Sequence, residues 1–305
     1  YKGKRVSLFS TDTSTPVSNF EVTMDDTYQD VEDLAIFVKF ELKGDKFRDV
    51  TNGNPVKLVA WTTTPWTIPA NFALAVNENF KYALVKYKDE YLVVSKERLE
   101  ETFKDEKYEV VGEYEGKHFE GLEYVPAYDY FVESATKKDW HVYLSDEVVE
   151  SEGSGVLHVA PGFGEVDFNM GKEWGLSDTV HIDESGRMLQ GPWKGVYIRE
   201  ASPMVADDLE KQGKLLRSES YIHRLPFYRG DNPLIYMTQD SYFIDIQKIK
   251  GRMLELQEKI TWVPETFKKR FENVLETAPD WAISRNRYWA TIMPIWESED
   301  GDQLI

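Results

Sequence analysis

The chain has 305 residues, of which 41% are hydrophobic, so it can bury a core in one large domain plus a smaller part, or in two domains. Its net charge of −18 argues against a protein that holds nucleic acid by bulk electrostatics, because neutralised phosphates normally supply that affinity. It has no cysteine and no apolar run of membrane-spanning length, so we expect a cytoplasmic protein with no disulfide framework and no membrane partner.

The first strong pattern is an alternating, β-branched stretch at residues 55–62, which predicts a strand. A period of two then places Thr62 and Thr64 on one face and Thr63 on the other. The prolines that follow cannot continue a strand ladder, so these hydroxyls are expected where a strand ends in a loop.

Residues 61–71 (WTTTPWTIPAN) combine four threonines with two indoles and an amide, a density that points to a binding or catalytic site. The alternative is that threonine is a good strand residue whose hydroxyl bonds nearby backbone. The candidate site residues of this run are Trp61, Thr62, Thr63, Thr64, Trp66, Thr67 and Asn71.

The remaining patterns are many short strands with helices between them. A hairpin is predicted from residues 82–87 and 91–95. Further strands are predicted at 108–114, 141–144, 156–159, 179–182 and 215–220, and helices at 96–103, 167–174, 203–212, 245–259 and 264–275. This order predicts a mixed α/β fold, namely a closed or nearly closed β-barrel with peripheral helices, and a boundary near residues 221–228.

A second run, residues 153–168 (GSGVLHVAPGFGEVDF), places a strand between flexible glycines and Pro161. His158 and Asp167 are therefore expected to face the same loop. The spacing at Gly153 lacks the third glycine of a dinucleotide fingerprint, because His158 occupies that place, so the nucleotide-binding interpretation is weak.

The run at 61–71 resembles the threonine-rich signature of the editing domain of isoleucyl-tRNA synthetases, and the run at 153–168 resembles the second editing motif of that family. Valyl and leucyl relatives carry Thr-Thr-Arg-Pro at the first place, and valyl enzymes usually carry lysine where His158 stands. Residues 1–22, 223–243 and 280–289 resemble the passages that flank the insertion. The resemblance thus covers nearly the whole chain and favours the isoleucyl branch.

The resemblance implies an editing hydrolase that removes valine from tRNA(Ile) or from valyl-adenylate and so maintains translational fidelity. Its partners are then the tRNA(Ile) 3′ end, valyl-adenylate and the remaining synthetase domains. The resemblance also implies that residues 1–28 lead in from the catalytic domain, 29–225 form the editing β-barrel, and 226–305 form a connective segment. Because the His-Ile-Gly-His and Lys-Met-Ser-Lys-Ser signatures are absent, we expect no ligase activity, and ATP and Mg²⁺ belong to the catalytic domain alone.

A mischarged ester presents an ammonium, a carbonyl, a short aliphatic side chain and ribose hydroxyls. Asp167 suits the ammonium through a charge-assisted hydrogen bond, and it is also a helix N-terminal carboxylate favoured by the macrodipole. His158 is a second contact or the wall that limits side-chain size, although a lone histidine is more often a core residue. The side chains that can orient the ester, the ribose and a water are those of Thr62, Thr63, Thr64 and Asn71.

The sequence has no thiol, no Gly-x-Ser-x-Gly elbow and no His-Glu-x-x-His motif, and its five histidines lack metal-ligand spacing. We therefore expect hydrolysis by a positioned water, without a metal or another cofactor. Three rivals stay open: a non-catalytic module that holds a tRNA end, a valyl-type editing domain, and a carbohydrate-active protein suggested by the 14% aromatic content and the acidic balance.

Overall fold

The computed structural model describes residues 1–23, 27–286, 291–299 and 303–304. The chain forms two compact units: Val6–Thr238, and Tyr1–Arg5 together with Gln239–Ile305. No helix within the described ranges is long and apolar enough to cross a membrane. The boundaries expected at residues 28 and 225 concern the attachment to a catalytic domain, and they stay predictions.

The elements up to the end of the larger unit are twelve strands and four α-helices. The strands are β1 Lys2–Ser10, β2 Thr15–Val17, β3 Tyr28–Glu41, β4 Val56–Thr62, β5 Ala73–Val76, β6 Lys81–Tyr87, β7 Glu90–Ser95, β8 Glu109–Glu115, β9 His141–Leu144, β10 Leu157–Val159, β11 Leu215–Pro226 and β12 Ile235–Ile244. The helices are α1 Arg48–Thr51, α2 Leu99–Phe103, α3 Glu165–Trp174 and α4 Ile198–Lys211, and 3-10 helices lie at Asn19–Val22, Pro65–Ala70, Lys96–Arg98, Gly116–Phe119 and Val132–Ser134.

Nine of these strands form one curled half-barrel sheet in the order β8-β6-β7-β4-β10-β5-β9, with β3 on the other edge of β4 and β11 beyond it. The expected mixed α/β class is confirmed, and the β-barrel that was expected to be closed or nearly closed takes the form of this curled half-barrel sheet. Alternate residues of β4 enter two apolar cores: Leu58 and Ala60 join the large one, while Val59 and Trp61 join a second on the opposite face. Both faces of β4 are therefore covered, which fits its near-continuous apolar sequence.

The sheet branches at β4, and this branch brings the two sequence motifs together. The first half of β4 runs parallel to β7, with Leu58 opposite Val93, whereas its end pairs with β10, with Trp61 opposite Leu157. Ser154 bridges the branch, because its carbonyl accepts from the Ser95 amide at 2.8 Å and its hydroxyl donates to the Val59 carbonyl at 2.5 Å.

Most predicted elements are present, including the hairpin of β6 and β7 and the helix that contains Asp167. The strand predicted at 179–182 is wrong: only an isolated bridge joins Ile182 to Met188 there, because His181 turns inward to the Trp66 carbonyl instead of joining a ladder. The helix predicted to begin at Pro203 begins at Ile198, and the proline lies inside it. Proline favours the first turn, so the sequence pattern placed that start too late.

The smaller unit contains α5 Ile246–Gln257, α6 Thr266–Thr277 and the short strands β13 Trp281–Ala282, β14 Trp296–Glu297 and β15 Gln303–Leu304. Asp245 caps α5 by accepting the Lys248 amide at 3.0 Å. Both helices agree with the sequence prediction. Residues 287–289, which contribute to the family resemblance, lie outside the described residues.

Substituting two glycines tests whether the branch of the sheet is too tightly packed to accept a side chain. Gly53 and Gly155 both have positive φ, +82° and +75°, but a Cβ at Gly53 meets nothing, while one at Gly155 collides with the Ser95 side chain. Gly53→Ala should cost about 1–2 kcal/mol from backbone strain alone, and Gly155→Ala about 1–3 kcal/mol more from overpacking. Urea unfolding of both variants measures this difference. Equal losses would show that the branch tolerates a side chain.

Candidate functional site

The threonine-rich run ends β4 and enters a buried 3-10 helix. Pro65 begins that helix. The backbone amide of Thr67 donates to the Thr64 carbonyl at 2.9 Å, and the backbone amide of Asn71 donates to the Ile68 carbonyl at 3.0 Å. Helix α4 packs on this 3-10 helix and on β3 and β11. The Thr64-to-Asn71 segment is thus held by its own turn and by α4.

The threonine hydroxyls form a connected row. Thr62 Oγ1 lies 3.0 Å from Thr64 Oγ1 and accepts the Thr64 amide at 3.1 Å. Thr64 Oγ1 lies 3.2 Å from Thr67 Oγ1, which donates to the Thr64 carbonyl at 2.8 Å. Thr62 and Thr64 therefore share a face, and the row continues to Thr67.

His158 joins this row to Asn71, and the hydrogen bonds assign its tautomer. The Asn71 amide nitrogen donates to the Ala73 carbonyl at 2.9 Å and its oxygen accepts from Tyr124 at 2.6 Å, which fixes the orientation of the amide. The same nitrogen lies 2.8 Å from His158 Nδ1, so Nδ1 accepts and Nε2 carries the proton. Nε2–H then donates to Thr67 Oγ1 at 3.0 Å.

Burial keeps this imidazole neutral. Desolvation, and then the neighbouring His181, lowers the pKa of His158 from 6.5 to about 3. Burial also lowers the pKa of His181 to about 4, and its Nε2–H donates to the Trp66 carbonyl at 2.8 Å. Because both nitrogens of His158 are engaged, it positions Thr67 and Asn71 and has no lone pair left to act as a base.

Asp167 lies in the first turn of α3, and its carboxylate closes the loop that follows β10. Its Oδ2 accepts the Ala160 amide at 2.8 Å, two residues after His158. Burial raises its pKa to about 6, although the bond from Ala160 opposes that shift. The carboxylate thus has a structural role at the N-terminal end of α3, and its pKa lies close to neutral pH.

The two tryptophans have different surroundings. The Trp66 indole is buried and stands edge-on to Phe163, with 4.9 Å between ring centroids. Trp61 meets Tyr221 edge-on at 5.3 Å, and its buried Nε1 has no partner among the residues that the structure describes.

A cavity of about 160 Å³ adjoins the threonines. Its polar inner wall is Thr63, Thr64, Thr67 and Ser202, its apolar wall includes Leu8, Leu34, Trp66, Phe163, Ile198 and Leu234, and its outer part includes Asp33, Arg199, His223 and Tyr236. The predicted residues Trp61, Thr62, Asn71, His158 and Asp167 lie outside this lining.

Sequence reasoning missed Asp33, Arg199 and His223. They are far apart in the chain, and Asp33 lies in an acidic stretch that looks like a solvated surface. Tyr124, which orients Asn71, also gave no signal. Among the described residues, no group of three or more histidine or acidic side chains is placed to hold a metal ion.

The pKa shifts predict opposite effects on stability. Between about pH 6 and pH 5 the unfolded chain protonates His158 and His181 while the native state does not, so unfolding becomes easier as pH falls. Asp167 has the opposite effect, because its proton binds more tightly in the native state. His158→Gln or His181→Gln should flatten the pH dependence by roughly 1 kcal/mol per pH unit, and Asp167→Asn should steepen it similarly. Urea unfolding at several pH values measures these slopes, and unchanged slopes would contradict the assigned shifts.

Comparison with known proteins places this geometry in a family. The family model for tRNA synthetases class I (I, L, M and V) matches residues 1–305. Isoleucine--tRNA ligases of Chlamydia abortus and Pyrococcus horikoshii are 39% and 36% identical to it over 100% of the chain, which spans 29% of each relative's length. The crystal structure of GlLeuRS-CP1 shares the fold, with a TM-score of 0.51 and 13% identity, over 61% of this chain and 99% of that one. The chain therefore belongs to the class I tRNA synthetases of the I, L, M and V group, as the sequence motifs indicated.

Proposed function

We propose that the chain is an editing hydrolase that removes valine from mischarged tRNA(Ile) and from valyl-adenylate. One observation carries the proposal: a continuous hydrogen-bonded row from Asn71 through neutral His158 to the threonine hydroxyls, beside a small cavity. Its isoleucine--tRNA ligase relatives support the choice of amino acid. The ligand partners are then valyl-adenylate and the valine-bearing tRNA(Ile) 3′ end, and the protein partners are the remaining synthetase domains.

The limited selectivity of a single binding pocket explains why a second site is needed. One methylene group gives a binding pocket only about 1–3 kcal/mol of discrimination, and isoleucyl-tRNA synthetase is itself the standard example, with about 150-fold preference for isoleucine over valine. A small cavity with an apolar wall and hydroxyls at its inner end accepts the shorter side chain and rejects the longer one by collision. Thr64 and Trp66 then set the limit on size.

The reaction needs no cofactor in this proposal. A water oxygen attacks the acyl carbon, and the bond from that carbon to the leaving oxygen breaks. In the tRNA ester the leaving oxygen is a ribose oxygen, which takes one proton of the water, and in valyl-adenylate it is a phosphate oxygen of AMP, which leaves as the anion. The remaining water protons pass to solvent as the valine carboxylate forms. The threonine hydroxyls hold the water and the developing oxyanion, while Asp167 pairs with the ammonium. His158 and Asn71 keep the hydroxyls in place.

Deacylation assays test this function. The purified chain should hydrolyse Val-tRNA(Ile) well above the spontaneous rate and Ile-tRNA(Ile) much more slowly, and it should not catalyse isoleucine-dependent pyrophosphate exchange. Binding of Val-tRNA without faster decay would instead make the chain a non-catalytic module. Preferential deacylation of Thr-tRNA(Val) would make it a valyl-type domain.

Asp167→Asn tests the ammonium contact. The variant keeps the acceptor for the Ala160 amide but loses the charge. The fall in kcat/KM should therefore correspond to a loss of about 2–5 kcal/mol of transition-state stabilisation, with folding retained. In the wild type, kcat/KM should fall as pH drops through about 6, because Asp167 then takes up a proton. Glu165→Gln is the matched control, since Glu165 is an exposed acid in the same helical turn. Wild-type kinetics in Asp167→Asn would leave Asp167 only its role at the helix end.

A further inference from the structure

Arg199 has uncommitted hydrogen-bond donors beside the cavity. It lies in the first turn of α4 and reaches β3, where its Nη2 is 2.5 Å from Asp33 Oδ1 and donates to the Glu32 carbonyl at 3.3 Å. Within the described part of the chain, its Nε and Nη1 make no hydrogen bond. A guanidinium carries five N–H donors in a rigid fork, so the donors outside Nη2 remain for a ligand.

Asp33 holds a second group at the same place. Its Oδ2 lies 2.7 Å from Nε2 of His223, which stands on β11 next to β3. A carboxylate accepts, so Nε2 of His223 donates to Asp33. Both oxygens of Asp33 are thus engaged, and Asp33 is a positioning residue for Arg199 and His223.

Exposure shows where the cavity opens. The side chains of Arg199, Asp33 and His223 are 30%, 21% and 21% exposed, whereas Thr67 is only 3% exposed. Thr67 therefore lies at the inner end of the cavity, and Arg199, Asp33 and His223 lie at its mouth. A ligand with its acyl group at the threonines leaves its polar remainder at Arg199.

We propose that Arg199 binds the phosphoryl group on the 5′ oxygen of the adenosine that carries the acyl group. The inference rests on the proposed function and names the part of the substrate read at the mouth. A guanidinium matches phosphate oxygens in a two-point, charge-assisted hydrogen bond. On a chain of net charge −18, an anionic ligand needs such a local cation to offset repulsion.

Two small esters test the subsite. The probes are 2′(3′)-O-valyladenosine and the same ester with a 5′-phosphate. Arg199→Gln should lower kcat/KM for the phosphorylated ester by about 10- to 100-fold, mainly through KM, as expected for one or two lost hydrogen bonds between charged groups. The phosphate-free ester should change by less than about twofold, because it never used Arg199. Arg199→Lys should recover part of the loss.

The controls distinguish a ligand-binding role of Arg199 from a purely structural contact between α4 and β3. Arg187→Gln removes an exposed arginine whose side chain, among the described residues, bonds the Gly195 carbonyl alone, and it should leave both esters unaffected. An equal loss on both esters, or no loss on either, in Arg199→Gln overturns the subsite.

A second measurement keeps the subsite testable if the proposed function fails. If the wild type hydrolyses neither ester, the editing proposal is contradicted. The phosphate contact can then still be tested by measuring binding. Titration calorimetry with AMP and adenosine then decides: AMP should bind the wild type more tightly, and Arg199→Gln should abolish the difference. Equal binding of AMP and adenosine by the wild type overturns the subsite.

Discussion

The candidate site depends on one buried, neutral imidazole. His158 accepts a hydrogen bond from the Asn71 side chain and donates one to Thr67, so an amide on one side and a hydroxyl on the other are fixed through a single ring. A charged imidazole cannot accept from Asn71, and the site has no carboxylate paired with it to offset the cost of burying a charge. Neutrality of His158 is therefore a condition for the geometry of the threonine row, and burial supplies it.

The branch of the sheet makes that contact possible. Residues 61–71 and 153–168 are separated by about a quarter of the chain, yet β10 lies between the end of β4 and β5. That register sets His158 opposite Leu74, next to the loop that carries Thr67 and Asn71. Ser154 and Gly155 lie at the branch, and a side chain at Gly155 would collide with Ser95. Small residues are therefore needed there because space is limited, and not for flexibility alone.

The sequence predicted the parts of this site that local patterns encode. Alternation in β4 placed Thr62 and Thr64 on one face, and the second motif identified His158 and the helix of Asp167. It did not predict the cluster of Asp33, Arg199 and His223, because those residues come from three elements whose adjacency is a property of strand pairing. It also missed the whole of β3. The first half of β3 is polar and exposed, so it lacks the apolar alternation that marks a strand, whereas the buried apolar run in its second half is typical of a strand and was overlooked.

Burial acts on the charges of the site in opposite directions, and this decides which ligand the site favours. It removes the positive charge from His158 and His181 and makes the negative charge of Asp167 costly, as its raised pKa records. At neutral pH the region around β10 then holds an ionised carboxylate, and the residues that the structure describes place no buried cation beside it. A cation that docks beside Asp167 relieves that cost and lowers its pKa, whereas an anion raises it further. The ammonium of the proposed substrate would therefore be favoured beside Asp167, and its phosphoryl group at Arg199, whose side chain is 30% exposed.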